Sequence, residues 1–408
     1  MIIAKKVRLL PTNDQEKKLW QSAGTARWTY NWALNKQIDH FTQTGQFKKI
    51  DDGTLRKQLT QEKKTPELKW LNEVSNNVAK QAVKDLCEAL NKFHQKSKKT
   101  GYKHRKSAIK SGKTLTVKDL ENFPRFKSRK HSRASFYNDN LKLKVKKDSI
   151  LIEKVGWVKL AEKNRIPAQS KYTNPRISFD NKYWYISVGI EEIDQLPVNS
   201  SITIGIDLGI KDLAIVSNMN QPIKNINKTK EVKKLKKKLK KKQKQVSRKY
   251  ETNKIPNKKG GSRYTFIKTN NIRKLEQEIR LIHRRLNNIR LNHIHQATSA
   301  IVKTKPSRIV MEDLNVKGMM KNKHLSKAIQ EQCFYKFVNC IEYKSKRNGI
   351  EFVKADRFYP SSKTCSCCGA IKKDLKLKDR VFICPSCGAK INRDMNAAIN
   401  LSKYQKSA

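Results

Sequence analysis

The stretch "KTCSCCGAIKKDLKLKDRVFICPSCGAKINRDMNAAIN", residues 363–400, carries a four-cysteine pattern and, seven residues after the last of those cysteines, an isolated acid, Asp394. Cys365, Cys368, Cys384 and Cys387 are spaced C-x2-C, fifteen residues, C-x2-C. Each pair makes a knuckle and the intervening residues a hairpin, so four thiolates can close a tetrahedral zinc site. Gly369 and Gly388 follow the second cysteine of each pair, where such turns favour glycine. A site with four protein ligands keeps no position for water, so its expected role is structural. Cys367 is surplus, and the C-x2-C geometry favours Cys368 as the ligand. Cys87, Cys333 and Cys340 fall in helix-like segments and read as small core residues rather than as a disulfide framework.

A closed metal clip leaves the chemistry to acids. In "SITIGIDLG" (201–209), alternation puts Ile202, Ile204 and Ile206 on one strand face and Thr203, Gly205 and Asp207 on the other. In "RIVMEDL" (308–314), an apolar strand ends in Glu312 and Asp313, the end of a strand where α/β sheets place ligands. Asp394 opens a helix-like segment, "DMNAAINLSKY". Singly, each has a plainer explanation: a strand-end acid facing water, or a helix cap. Together they suit a pair of Mg2+ ions held about 4 Å apart, which activate a water and stabilise the leaving 3′ oxygen of a phosphodiester. An all-oxygen donor set favours Mg2+ over softer metals. His283, His293 and His295 lie in a basic helix without a catalytic pattern and read as surface or packing residues.

The charge names the class of partner. Over 408 residues, 91 Lys+Arg oppose 35 Asp+Glu, a net charge of +56 that calls for a polyanion, nucleic acid. The length admits two or three domains. No run approaches the roughly 18–20 apolar residues of a membrane span, and "MIIAKKVRLLPTNDQ" is too short in apolar residues for a signal peptide. The expectation is a soluble cytoplasmic protein with no membrane partner, associated with the nucleoid in a prokaryotic cell.

Along the chain, "IIAKKVRLL" reads as a strand, followed by a long helix and helices near 54–62 and 72–97. Residues 98–135 are basic and often broken, and 136–192 are rich in β-branched and aromatic strands. "LPVNSS" (196–201) is the clearest linker. After two strands, apolar positions Val232, Leu235, Leu239 and Val246, then Leu275, Ile279, Ile282, Leu286 and Ile289, predict a basic helical hairpin. "ETNKIPNKKGGSRYTF" (251–266) is expected as its mobile tip, and its lysines are expected to meet nucleic-acid backbone.

"GIDLGIKD", "IVMEDLNVKGM", the paired cysteine knuckles and "NRDMNAAINL" occur in that order, preceded by "RLLPTNDQEKKLW" and "FPRFKSRK". Together these motifs resemble TnpB, a transposon-encoded family of RNA-guided nucleases related to type V CRISPR effectors, and the resemblance spans essentially the whole chain. It implies an α/β multidomain protein. An RNase H-like (RuvC) nuclease domain would cover 201–360 and 390–408, with a zinc ribbon, 361–389, inserted ahead of the last catalytic segment. A β-barrel-like wedge domain, 1–11 and 121–196, would be interrupted by a helical recognition domain, 12–120. The resemblance places catalytic, Mg2+-binding acids at Asp207, Glu312 and Asp394, and nucleic-acid contacts at Asn76, Lys80, Arg125 and Lys127. It implies a guide RNA from the transposon end, a double-stranded DNA target cut beside a short transposon-associated motif, and a protein monomer within a ribonucleoprotein. The chain departs from many relatives in having Asn392 where they carry an acid, and in Cys367. Two alternatives remain: a nuclease-inactive RNA-guided repressor, which should lack one of the acids, and an RNase H-fold transposase acting without RNA.

Overall fold

The computed structural model describes residues 1–44, 50–99, 122–129, 132–193, 195–256, 264–376 and 378–405. They form two compact units, Ile2–Glu192 and Ile193–Ala408.

In the first unit, strands β1 (Ile2–Leu10), β2 (Ser135–Tyr137), β3 (Lys144–Val145), β4 (Ser149–Ile152), β5 (Gly156–Leu160), β6 (Tyr172–Phe179) and β7 (Trp184–Glu191) pair in the order β2-β6-β7-β1-β5-β4-β3. Every pairing is antiparallel. Strand periodicity is plain in β7, which buries Trp184, Ile186, Val188 and Ile190. Among the described residues β2 does not pair with β3, so the expected barrel-like sheet is open at these two edges, which are only three and two residues long.

The helix Asn13–Thr44 begins in a reciprocal cap: the Gln15 amide donates to Thr12 Oγ1 at 3.3 Å and the Thr12 amide to Gln15 Oε1 at 3.0 Å. The helix expected at 72–97 starts instead at Asn76 and runs to Lys99. Pro66 opens a separate 3-10 helix, Pro66–Glu73, which ends where Val74 turns extended. Leu19, Leu34, Val83 and Leu86 from the helices share one core with Ile150, Ile186 and Val188 from the sheet. The segments read from sequence as separate wedge and recognition domains therefore pack around common apolar ground in this unit.

An ion pair ties the Asn76–Lys99 helix to β6. Arg176 donates from Nη1 to Asp85 Oδ2 at 2.6 Å and from Nη2 to Oδ1 at 2.7 Å. Burial alone would raise the Asp85 pKa, but the hydrogen bonds from Arg176 and Gln81 outweigh it and hold the carboxyl below its usual value. A depressed pKa contributes stability above the unfolded-state value, lost as pH falls through the folded one. Asp85→Asn is expected to lower unfolding free energy by about 1–2 kcal/mol near pH 7, with the gap to the parent closing in denaturant melts below the ordinary Asp range.

In the second unit, β8 (Thr203–Leu208), β9 (Asp212–Val216), β10 (Ile223–Lys224), β13 (Arg308–Glu312) and β14 (Glu351–Ala355) form a mixed sheet ordered β10-β9-β8-β13-β14. The first three are antiparallel, and β8, β13 and β14 run parallel. One face buries Ile204, Ile206, Ile309 and Met311 against Ile301, Phe337 and Ile341. The other buries Val310 and Ala355 with Leu401 and Tyr404. Ile202, read as part of the inner face, is 44 % exposed because β8 begins one residue later. The linker is tethered: the Val198 amide donates to the Gly349 carbonyl at 2.9 Å.

The basic hairpin forms from helices Lys230–Thr252 and Asn270–Lys303, capped by Thr229 and Thr269 and zipped by Val232, Leu235, Leu239, Ile282, Leu286 and Ile289. Short strands β11 (Lys254–Pro256) and β12 (Tyr264–Phe266) pair beyond it, and residues 257–263 of the expected tip lie outside the described residues. Cys87 and Cys340 are core residues as expected. Cys333 instead takes a left-handed φ of 54° between helices Ser326–Gln332 and Phe334–Arg347 and is only partly buried. Among the described residues no helix is long and apolar enough to cross a membrane.

Candidate active site and metal centre

Register places the first two acids. The parallel pairing of Val310 with Gly205 and Met311 with Ile206, continued by one residue, sets Glu312 beside Asp207 on the same face. Asp313 points away into an ion pair with Arg357, Nη2 to Oδ2 2.8 Å. Of the strand-end pair, Glu312 is thus the one turned to the site.

The third acid arrives on the helix Arg393–Ser402, which lies on that face over Val310 and Ala355. It can approach because β8 carries Gly205 there: a Cβ at this position would stand 1.9 Å from the Ala398 carbonyl oxygen and 2.4 Å from the Ser402 amide nitrogen. Asp394 is not the cap of its helix. Asn392 caps it, with Oδ1 accepting from the amides of Asp394 at 3.0 Å and Met395 at 3.2 Å. The carboxylate of Asp394 is thereby left free in the first turn, where the helix dipole favours negative charge.

Asp207 feels the other two acids. Burial, then the charges of Glu312 and Asp394, push the Asp207 pKa well above the usual carboxylate value, against smaller opposing effects from Arg393 and the Leu208 amide. Ser361 donates its hydroxyl to Glu312 Oε1 in a short hydrogen bond. Among the described residues only the four cysteine thiols form a potential metal-ligand group with all ligand atoms within 4.8 Å of one another, and the acids are more loosely gathered.

Sequence reading missed the residues that mount the helix. Asn396 and Asn400, both buried, sit one turn apart. Asn396 accepts from the Ser366 amide at 2.9 Å and donates to the Thr364 carbonyl at 2.7 Å, while Asn400 donates to the Ser361 and Thr364 carbonyls at 2.7 and 2.6 Å. The signal was an i, i+4 pair of asparagines flanking "AAI", polar residues on what would otherwise be an apolar helix face.

The thiols of Cys365, Cys368, Cys384 and Cys387 meet as the spacing requires. Sulfur separations are 3.7 Å for Cys365–Cys387 and 3.5 Å for Cys368–Cys384. The two knuckles repeat one design: Gly369 and Gly388 adopt φ of 80° and 69°, and their amides donate to the Cys365 and Cys384 carbonyls at 2.9 and 3.2 Å. The Cys387 amide facing its sulfur is the main cause that pulls the Cys384 thiol down to about 6. An Ala389 amide would lower Cys387 too, but the crowding sulfurs of Cys368 and Cys384 push it up to about 12. Four thiolates this close would repel one another, so all four ionise together only around a cation. Cys367 is exposed and outside the group. Strand β15 (Val381–Ile383) pairs with β16 (Lys390–Asn392), so the hairpin closes at Asn392 rather than at residue 389.

The expected nucleic-acid contacts divide. Asn76 and Lys80 are exposed and line a groove of about 760 Å³ with Arg56, Lys63, Lys64 and Lys69. Lys63 donates to Asn76 Oδ1 at 2.8 Å, and its pKa is lowered by burial. Arg125 is exposed. Lys127 is engaged internally instead: its backbone exchanges hydrogen bonds with Asn31 at 2.7 and 2.9 Å, and its ammonium sits 3.6 Å from the Tyr30 ring centroid. Burial first of all lowers its pKa, so of the four expected contacts Lys127 is the one whose charge is already engaged within the protein.

Three family profiles match the chain in succession: a helix-turn-helix domain of IS605 OrfB over 1–46, the IS605 OrfB profile described as "Probable transposase" over 185–323, and a Cas12f1-like TNB domain over 334–401. Domains of the TnpB/IS605 family thus follow one another along the chain. Over 1–46 the chain has β1 and one continuous helix in the described residues. Its relatives include a Streptomyces pristinaespiralis protein, 28 % identical over 97 % of this chain and 87 % of that one, and Escherichia coli InsQ, 27 % identical over 97 % and 90 %. Both are provisionally named RNA-guided DNA endonucleases. The solved structure of the mini RNA-guided endonuclease Cas-phi3 shares the fold at 11 % identity, covering 99 % of this chain and 92 % of that one with a TM-score of 0.51.

Crowded acids cost stability. Because the folded-state pKa of Asp207 is raised, its contribution falls as pH rises from the unfolded value through the folded one. In Mg2+-free buffer at pH 7.5 or so, Asp207→Asn is expected to melt a few degrees higher than the parent, and the difference should vanish near pH 4.

Proposed function

We propose that the chain is an RNA-guided endonuclease that cuts double-stranded DNA beside a short transposon-associated motif, using Mg2+ and a guide RNA from the transposon end. The observation that carries this reading is the convergence of Asp207, Glu312 and Asp394 from two parallel strands and one helix. The donor set is all oxygen, which suits a hard divalent cation, and the mutual repulsion that raises the Asp207 pKa is what such a cation would relieve. When bound, the ions supply an activated water and charge for the leaving 3′ oxygen. Asp207 and Glu312 would hold them from the strand ends and Asp394 from the helix, while Ser361 orients one oxygen of Glu312.

Residues 201–360 with the C-terminal helix would form the RNase H-like nuclease domain, supported by the mixed sheet order β10-β9-β8-β13-β14. Residues 361–389, extended by β16, would be a zinc ribbon whose Zn2+ is structural, since Cys365, Cys368, Cys384 and Cys387 complete its shell. Lys233, Lys234, Lys237, Lys238, Lys240 and Lys241, all exposed on the hairpin, and the groove around Asn76 and Lys80 would hold nucleic-acid backbone. Base pairing with the guide would supply most of the sequence specificity. An inactive repressor should lack an acid, and this chain keeps all three.

Protein purified with its native flanking DNA should carry one dominant RNA and cut a matching target library beside a single motif in Mg2+. Asp207→Ala should abolish that cutting, by at least about 1000-fold, with RNA and DNA binding intact; residual cutting near the parental rate would remove Asp207 from the mechanism. Cys384→Ser should lose zinc by elemental analysis and loosen the ribbon, and unchanged zinc content would refute the assignment.

A further inference from the structure

Phe358 is 92 % exposed, the most exposed large apolar side chain among the described residues. Leaving a whole aromatic ring in water forgoes the favourable burial of its apolar surface, so its setting matters. The loop that carries it is pinned on both sides. Before it, Tyr404 donates its hydroxyl to Asp356 Oδ2 at 2.8 Å, and Arg357 is bonded to Asp313. After it, the Tyr359 amide closes a turn on the Asp356 carbonyl at 3.0 Å, the Tyr359 ring packs edge-on against Tyr404 with centroids 4.9 Å apart, and Ser361 holds Glu312. Phe358 alone in this run has no such engagement, and only Tyr359 and Pro360 separate it from Ser361, so its Cα lies within about 11 Å of that residue.

We propose that Phe358 is a stacking platform for a base of the single strand entering the acid site. The inference rests on the nuclease reading for the identity of the site, and on the loop geometry for the platform. Every base offers a π-face, so stacking holds a strand without reading its sequence. A net charge of +56 and the half-exposed Arg357, the preceding residue, favour a phosphate-linked ligand over an apolar protein surface. The pinned backbone fixes the ring relative to Glu312, so a stacked base would set which phosphodiester faces the acids.

The test uses the purified full-length chain at about 0.15 M salt, where long-range charge is screened, and single-stranded DNA carrying 2-aminopurine, whose fluorescence falls on stacking. The parent and Phe358→Trp should quench the probe, whereas Phe358→Ala and Phe358→Leu should lose part of that quenching and bind at least about fivefold more weakly. Leu retains apolar area without an aromatic face, so equal quenching by parent, Leu and Ala variants would overturn the proposal. Guided cutting by the parent is scored separately. Its absence with the quenching difference intact would strike the nuclease reading alone, whereas normal cutting with no quenching difference would strike the platform alone.

Discussion

The site depends on one backbone-to-backbone approach. Strand β8 can receive the helix Arg393–Ser402 only because Gly205 presents no side chain; any Cβ there would overlap the helix at Ala398 and Ser402. That contact brings Asp394 toward Asp207, two residues along from the glycine on the same strand face. It works against electrostatics, since three carboxyls are gathered where burial already disfavours charge. The opposing force is apolar packing of Val310, Ala355, Leu401 and Tyr404 under the helix, reinforced by the bonds of Asn396 and Asn400.

The thiols and the acids differ in the geometry each would offer a metal. Four thiols with symmetric knuckles make a closed shell suited to holding a fold, whereas three oxygen donors from separate elements would leave room for water and substrate. The two are mechanically continuous: β16 ends at Asn392, which at once caps the next helix. This asparagine accepts the amide hydrogens of Asp394 and Met395 without placing a further negative charge beside Asp394. The Asn396 and Asn400 bonds then fasten the helix to the loop and first knuckle, so a disturbance of the thiol site is transmitted to the helix that carries the third acid.

Positive charge is an unreliable guide to single residues even where it is decisive for the whole. The excess of lysine calls for a polyanion partner, and the hairpin lysines are exposed as that requires. Lys127 lies in the other basic stretch, residues 98–135, and is held over Tyr30 and locked to Asn31. Its methylene stem and ammonium serve packing, which no count of charges distinguishes.

Sequence alone determined whatever depends on spacing and periodicity: the thiol quartet, the strand parity that turns Asp207 out of an isoleucine face, the apolar stripe that zips the basic hairpin, and the acid at the end of β13. These are local properties of the chain, legible because a strand repeats every two residues and a helix every 3.6. Strand periodicity left Glu312 and Asp313 open and only the resemblance named Glu312; the physical reason it faces the site is tertiary, the register between β13 and β8. Only the tertiary structure decided that Asn392, not Asp394, caps the last helix, that Gly205 is a docking surface, and that Phe358 stands bare on a pinned loop. Such facts are relations between segments far apart in the chain, set by packing and by where each polar group finds its partner, and periodicity carries no record of them.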